Sequence, residues 1–206
     1  FSNPRISRTS LHSLFVSGLS TVVTVSLAFV FAYALTRTTI PGKALLSTLA
    51  MLPLVAPSLV QALALIYLFG RNGLITARLL GVEWNIYGWH GIVLSEIFYC
   101  FPHALIILFT TLSAVDTRLD EAAQSLGAGA WRTFWTVTVP SAKYGLLSAS
   151  FLVFNLVITD FGNPKVIGGD YNVLATEIYN QVSGQQNLSM GSTISVILMI
   201  PAVGAF

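Results

Sequence analysis

The sequence predicts an all-α membrane protein, a polytopic helical bundle of at least five transmembrane helices. Hydrophobic residues make up 54% of the chain and charged residues only 9%, whereas a soluble domain has about 25% charged residues. The apolar residues form runs of about 20, the length that spans a bilayer as a helix. These runs lack the alternation of barrel strands. Lipid is therefore expected to surround most of the chain.

Five apolar runs divide the chain. They cover residues 13–36, 44–70, 91–115, 144–162 and 190–206, and we expect each to span the membrane. Pro53 and Pro57 interrupt the second run. Because the chain does not begin with Met and its last apolar run continues to Phe206, residues 1–206 are expected to be a single transmembrane domain and a fragment of a longer chain.

Composition also excludes several classes of function. A formal net charge of +2, without a basic run, does not favour nucleic-acid binding. The single cysteine, Cys100, excludes a disulfide framework and a multi-cysteine metal site. There is no His-Glu-x-x-His pattern and no G-x-x-x-x-G-K-[ST] loop. The sequence therefore predicts neither an enzyme nor a chain that binds a metal or a cofactor.

Three connections between the apolar runs are long. Residues 71–90 contain Trp84, Tyr87 and Trp89, which are typical of an interfacial aromatic belt. Residues 162–189 contain a predicted short helix that starts near Asp170 and stops at Gly184. We expect this helix on the membrane face opposite the third connection, residues 116–143.

The connection 116–143 reads as two short helices around a glycine hinge. Negative charge at Asp120 and Glu121 favours a helix start, and Gly127 and Gly129 form the hinge. Pro140 ends the second helix. Between hinge and proline, three aromatic residues offer one large face: Trp131, Phe134 and Trp135. This face predicts either a docking surface for another protein or an interfacial helix on lipid headgroups.

The spacing within this connection resembles a known family. Glu121-Ala122-Ala123 is followed by three residues and Gly127, and nine residues later come Val137, Thr138, Val139 and Pro140. Permease subunits of binding-protein-dependent type I ABC importers carry a loop of this kind, the EAA motif, written E-A-A, three residues, G, nine residues, I-x-L-P. Valine at both aliphatic positions is a conservative departure. The resemblance extends over nearly the whole chain.

The resemblance implies a multi-pass permease of the bacterial cytoplasmic (inner) membrane. Its loop would be cytoplasmic and would couple to ABC ATPase subunits, which hydrolyse the ATP. A periplasmic substrate-binding protein and a second permease copy or half would be further partners. Lysine and arginine counts on the two sides are equal, and discounting Arg5 and Arg8 favours a cytoplasmic loop 116–143. The resemblance implies the same orientation. The implied ATPase-coupling residues are Glu121, Ala122, Ala123, Gly127, Val137, Val139 and Pro140.

The solute is predicted less specifically than the family. The chain is most similar to the ferric-iron and phosphonate branch, and residues 158–181 resemble permeases assigned to 2-aminoethylphosphonate uptake. We therefore expect a phosphonate such as 2-aminoethylphosphonate. Ferric iron or another small solute is the alternative.

Ionisable residues in membrane spans are candidates for a solute pathway, because burial there is costly. Glu96, His103 and Asp160 are such residues. Glu96 and His103 either belong to a translocation path or proton relay, or lie near the interface and beside a carbonyl that Pro102 frees. Asp160 either meets a cationic amine or caps the following turn.

Two other functions would each need features of their own in the sequence. An ion-coupled secondary transporter would need acidic residues or broken helices near the bilayer midplane. That reading leaves the Glu121 loop unexplained. An intramembrane enzyme would need a nucleophile-base pair or a metal cluster, and one Cys and three scattered His residues do not supply it.

Overall fold

The computed structural model describes residues 4–82, 84–116 and 118–205, and their regular structure is helical. The predicted all-α fold is confirmed. The helices are α1 Pro4–Arg37, α2 Lys43–Met51, α3 Ser58–Phe69, α4 Trp89–Ala114, α5 Arg118–Ser125, α6 Ala130–Thr133, α7 Val139–Ser141, α8 Lys143–Thr159, α9 Gly162–Ile167, α10 Leu174–Tyr179 and α11 Leu188–Gly204.

The core is the packing of α1, α4 and α8. Small residues let these helices approach closely: Ala28 and Ala32 of α1, Ala104 of α4 and Ala149 of α8 are fully buried. A Cβ on Gly145 of α8 would collide with a side chain of α4. The two ends of this three-helix core position the connections between the helices.

The second apolar run is broken, as its prolines predict. A 3-10 turn, Leu52–Val55, separates α2 from α3. Gln61 Nε2 donates to the carbonyl oxygens of Pro53 and Ala56, the latter at 3.0 Å. The Gln61 amide thus adds side-chain hydrogen bonds to the backbone at the break in the helix. None of the side chains of α2 is buried.

Among the residues that the structure describes, three helical stretches are long and apolar enough to cross a membrane: Pro4–Arg37, Ser58–Leu79 and Trp89–Ala114. Ala130–Ser141 and Lys143–Thr159, bent by 66°, qualify together as a fourth. Lys43–Val55 and Leu188–Gly204 are apolar but shorter. A helical membrane bundle is therefore clear, and five separate spans stay a prediction.

The connections 116–143 and 162–189 lie at opposite ends of α1, as predicted. Arg37, the last residue of α1, contacts Asp120, whereas Ser13 near its start accepts a hydrogen bond from the Leu174 backbone N–H at 2.7 Å. A helix of 34 residues is about 50 Å long. The predicted short helix exists as α10 and a π turn that ends at Gly184. Its N-cap is Val173, three residues beyond Asp170.

Candidate functional site

The hinge of connection 116–143 is a left-handed glycine at the end of α5. Gly127 has φ +82°. Its N–H donates to the carbonyl of Gln124 at 2.9 Å, and the Ala128 N–H donates to that of Ala123 at 3.0 Å. This pair of bonds is a Schellman motif, whose left-handed position favours glycine. The two predicted helices around a hinge are confirmed, with Gly127 as the hinge residue.

One side of the loop is an exposed apolar surface, which we call the coupling patch: Leu126, Trp131 and Trp135. These side chains are 89%, 74% and 53% exposed. The rings of Trp131 and Trp135 pack edge to face with centroids 5.7 Å apart. Exposed aromatic surface of this kind is typical of an interaction site.

The other side of the loop packs on α1. The ring of Phe134 lies 5.8 Å from that of Phe29 and 5.3 Å from that of Tyr33. Residues Ala130–Ser141 form one helical segment, which includes a π turn at Phe134–Thr138 and bends by 66° into α8. A displacement of the coupling patch would therefore be transmitted to both α1 and α8.

An ion pair fixes the start of α5 to the end of α1. Arg37 Nε lies 3.4 Å from Asp120 Oδ2, and an Arg37 Nη donates to the Val115 carbonyl at 3.0 Å. Thr138 Oγ donates to the other Asp120 oxygen at 3.4 Å. Asp120 thus joins α1, α5 and the segment that leads to α8.

The predicted coupling residues divide between the surface and the packed side of the loop. Glu121, Ala122, Gly127 and Pro140 are exposed, and Ala123, Val137 and Val139 are half-buried. Glu121 forms no ion pair within the described part of the chain. The motif therefore presents its acidic end outward, while its aliphatic residues hold the loop to the helices behind it.

A second polar group lies near the other end of the core, where α3, α4 and α9 meet. Asp160 Oδ1 accepts from Ser58 Oγ at 2.7 Å, and its Oδ2 accepts from the Asn163 N–H at 2.8 Å. Ser95 Oγ donates to Asn163 Oδ1 at 2.6 Å. Asp160 therefore does cap the following turn, and it also ties that turn to α3.

Glu96 lies beside this group with its side chain fully buried. The carboxyl is close to Asp160 and Asn163, yet neither of its oxygens forms a hydrogen bond of ordinary geometry. The Asn163 amide nitrogen is likewise without a partner. Buried polar atoms without partners are rare and costly, so Glu96 and Asn163 are candidates for a functional polar site inside the bundle.

His103 does not belong to that group. It lies seven residues beyond Glu96, about 10 Å along α4. Its Nδ1 lies 3.2 Å from the carbonyl oxygen of Tyr99. Pro102 frees the carbonyl of Phe98, where we expected His103 to make its contact. The contact forms instead at Tyr99, one residue further along. The structure therefore brings together only two of the three candidate pathway residues.

No metal site is present among the residues that the structure describes, where no three His, Cys, Asp or Glu side chains come together. Sequence reasoning missed Arg37 as the anchor of the loop and missed Ser58 and Asn163. Asn163 had a local signal, because an acid three residues before an Asn often caps a turn. The sequence around Arg37 on α1 and Ser58 on α3 gives no signal of their partners.

Known proteins place the chain in a family. Residues 24–206 match the family described as the inner membrane component of binding-protein-dependent transport systems. A putative ferric transport system permease protein, FbpB 1 of Haemophilus influenzae, is 30% identical over 98% of this chain, which spans 33% of that relative's length. The molybdenum transport system permease protein ModB of Escherichia coli is 37% identical to this chain. The match covers 74% of this chain and 67% of the length of ModB.

Solved structures show the same fold. One match is a chain of a bacterial ABC transporter involved in the import of alginate, with TM-score 0.79 and 16% identity. The superposition covers all of this chain and 76% of the transporter chain. A chain of the methionine ABC transporter MetNI matches with TM-score 0.71 and 17% identity. The superposition covers 97% of this chain and 88% of the MetNI chain. The motif in connection 116–143, the helical bundle and these similarities agree. The chain belongs to the family of inner membrane components of binding-protein-dependent transport systems.

Proposed function

We propose that this chain forms part of the solute pathway of a type I ABC importer and is driven by a cytoplasmic ATPase through the coupling patch. The observation that carries the proposal is the construction of connection 116–143. Its exposed face is apolar and aromatic, and its buried face is fixed to α1 and continues into α8. A surface that only rested on headgroups would not need this rigid attachment to the core.

The proposed mechanism is mechanical. ATP binding closes the ATPase subunits, which move α5 and residues 130–141 as one body. The Arg37–Asp120 ion pair passes this movement to α1, and the bend at Ala142 passes it to α8. The polar group of Glu96, Asp160 and Asn163 lies at the far end of the same helices. There it would line or gate the solute path.

Co-purification tests the coupling role. Glu121→Lys changes an exposed side chain, so it leaves the fold intact, but it should reduce recovery of the ATPase at least fivefold. Asp170→Lys reverses an exposed charge near the opposite end of α1 and is the matched control. Equal recovery of the ATPase with both variants would refute the coupling role. Uptake that persists without any ATPase would instead favour an ion-coupled transporter.

For the solute we propose a phosphonate, with 2-aminoethylphosphonate as the first candidate. The likeness of residues 158–181 to phosphonate permeases supports it, and a 34% identical relative is named a sulfate transport system permease protein, whose solute is also a tetrahedral oxyanion. Ferric iron is the second candidate, favoured by the ferric relative that matches 98% of this chain. Uptake of labelled 2-aminoethylphosphonate, measured in the presence of unlabelled phosphonate, sulfate or ferric iron, separates the two candidates. Competition by phosphonate supports the first candidate, and competition by ferric iron supports the second.

A second permease copy or half is also proposed. The side chains of α2 are unburied, and Leu45, Leu49 and Leu52 are more than half exposed. An apolar hollow of about 410 Å³ lies between this helix, α1 and α4. Another permease half or lipid could cover it. Because Cys100 is buried, Leu49→Cys offers a single reactive thiol, and disulfide-linked pairs in membranes would support a second copy.

A further inference from the structure

A large cavity lies at the end of α1 opposite the coupling patch. Its volume is about 940 Å³, within the range of small-molecule sites. Three segments line it: the first turns of α1, the residues that lead into α4, and the loop 168–172. The coupling mechanism proposed above makes no use of this cavity.

Positive charge collects on one side of the cavity. Arg5 and Arg8 line it from α1, whose first turn has no acidic residue. Arg5 pairs with buried Glu177 at 3.2 Å. Arg8 has no ion-pair partner within residues 4–82, 84–116 and 118–205. An anion in the cavity would supply Arg8 with the charge partner that the described residues do not.

The start of α4 adds to this field. Gly88, Trp89 and His90 line the cavity, and the N-cap Gly88 has no side chain that could satisfy the first N–H groups. Such a helix end binds phosphate-like groups. A guanidinium matches the same groups through paired hydrogen bonds. The two features favour a phosphoryl group over a smaller anion.

The loop 168–172 supplies one negative charge, and a ring of α1 packs against the same loop. Asp170 is exposed, lines the cavity and forms no ion pair with Arg8. His12 of α1 contacts this loop, with Nδ1 3.1 Å from the Asn172 carbonyl and the ring stacked 3.9 Å from that of Tyr171. The cavity is therefore lined by a cationic and an anionic side chain that do not pair with each other.

We propose that this cavity binds a phosphoryl group that carries a primary ammonium group, with Arg8 and the start of α4 holding the phosphoryl oxygens and Asp170 holding the ammonium. Two sources share this chemistry: free 2-aminoethylphosphonate and the headgroup of phosphatidylethanolamine. The first source rests on the proposed function. The second does not, and the exposed rings of Tyr87 and Trp89 at the cavity wall suit the headgroup level.

Binding to the assembled transporter, without the binding protein, tests this inference. In phosphatidylglycerol nanodiscs, titration calorimetry should show that Arg8→Gln weakens 2-aminoethylphosphonate and ethylphosphonate alike, at least tenfold. Asp170→Asn should weaken only the compound that has the amine. Arg71→Gln, an exposed arginine outside the cavity, is the matched control and should bind as the wild type does.

A lipid arm separates the two sources. In nanodiscs that contain phosphatidylethanolamine, native mass spectrometry should show lipid retained by the wild type and lost from both variants if the headgroup is the occupant. Binding from either source that depends on Arg8 and Asp170 supports the inference. Binding from neither source, or binding unchanged in either variant, overturns it. Cellular uptake of 2-aminoethylphosphonate tests the solute proposal separately, because headgroup binding can hold when uptake fails.

Discussion

Arg37 Nε and Asp120 Oδ2 lie 3.4 Å apart and join the last residue of α1 to the first turn of α5. The two side chains are only 8% and 17% exposed, so solvent screens them little. This ion pair links residues that are 83 positions apart in the sequence. It makes connection 116–143 part of the helical core.

Breaking this pair should destabilise the protein. Arg37→Gln leaves Asp120 half-buried without its cation, and we expect a loss of about 3 kcal/mol in the free energy of unfolding in mixed micelles. Arg118→Gln, an exposed arginine in the same loop, should cost less than about 0.5 kcal/mol. Adding Asp120→Asn to Arg37→Gln should cost little more. Fully additive losses would show that the two residues do not interact.

Gly127 should be required for its backbone conformation. Its φ of +82° disfavours any side chain, although no atom lies within 4 Å of a Cβ built there. Gly127→Leu should therefore disrupt the hinge and abolish transport, while membrane insertion survives. Gly81 also has a positive φ and open space, but it lies in connection 71–90. Gly81→Leu should leave transport near normal, and normal uptake by Gly127→Leu would contradict the docking role.

Gly145 should be required for close packing of α8 on α4. A Cβ there would meet the side chain of Thr111, so Gly145→Ala should destabilise by about 1–3 kcal/mol. Thr111→Ala should recover most of the loss in the double variant. Gly18→Ala is the control, because nothing lies within 4 Å of its Cβ and alanine favours a helix interior. Equal effects at Gly18 and Gly145 would rule out the packing explanation.

Asp160 should contribute more to stability than its partner Ser58. Asp160→Ala removes two hydrogen bonds and leaves the Ser58 hydroxyl and the Asn163 N–H unsatisfied, at a cost of about 2–4 kcal/mol. Ser58→Ala removes one bond and should cost about 1 kcal/mol. Unfolding in mixed micelles measures both. A Ser58→Ala loss as large as that of Asp160→Ala would mean that the cap on Asn163 contributes nothing.

Local sequence patterns predicted the elements because each one depends on neighbours in the chain. Apolar runs predicted α1 and α4, since burial in lipid needs only sustained hydrophobicity. Pro53 and Pro57 predicted the break between α2 and α3, and Gly127 predicted the hinge. Pro140 predicted the end of the second loop helix and a turn into the next span, and the structure has that helix end at Ser141 with a bend of 66° into α8. The size of the bend has no signal in the sequence.

Contacts across the bundle were out of reach of the same reasoning. Ser58 and Asp160 are 102 residues apart, and a polar residue in an apolar run carries no sign of its partner. For the same reason the sequence grouped Glu96 with His103, which share a helix face, whereas the fold groups Glu96 with Asp160. The cavity at Arg8 likewise needs three segments that only folding brings together.

Accessibility of the loop from each side of the membrane tests the central claim most directly. Gln124 is exposed on α5, and Cys100 is buried, so Gln124→Cys carries the only reactive thiol among the described residues. The account predicts that an impermeant maleimide labels this thiol in inside-out vesicles but not in intact cells, and that bound ATPase blocks the labelling. Labelling in intact cells, with no protection by the ATPase, would contradict the account.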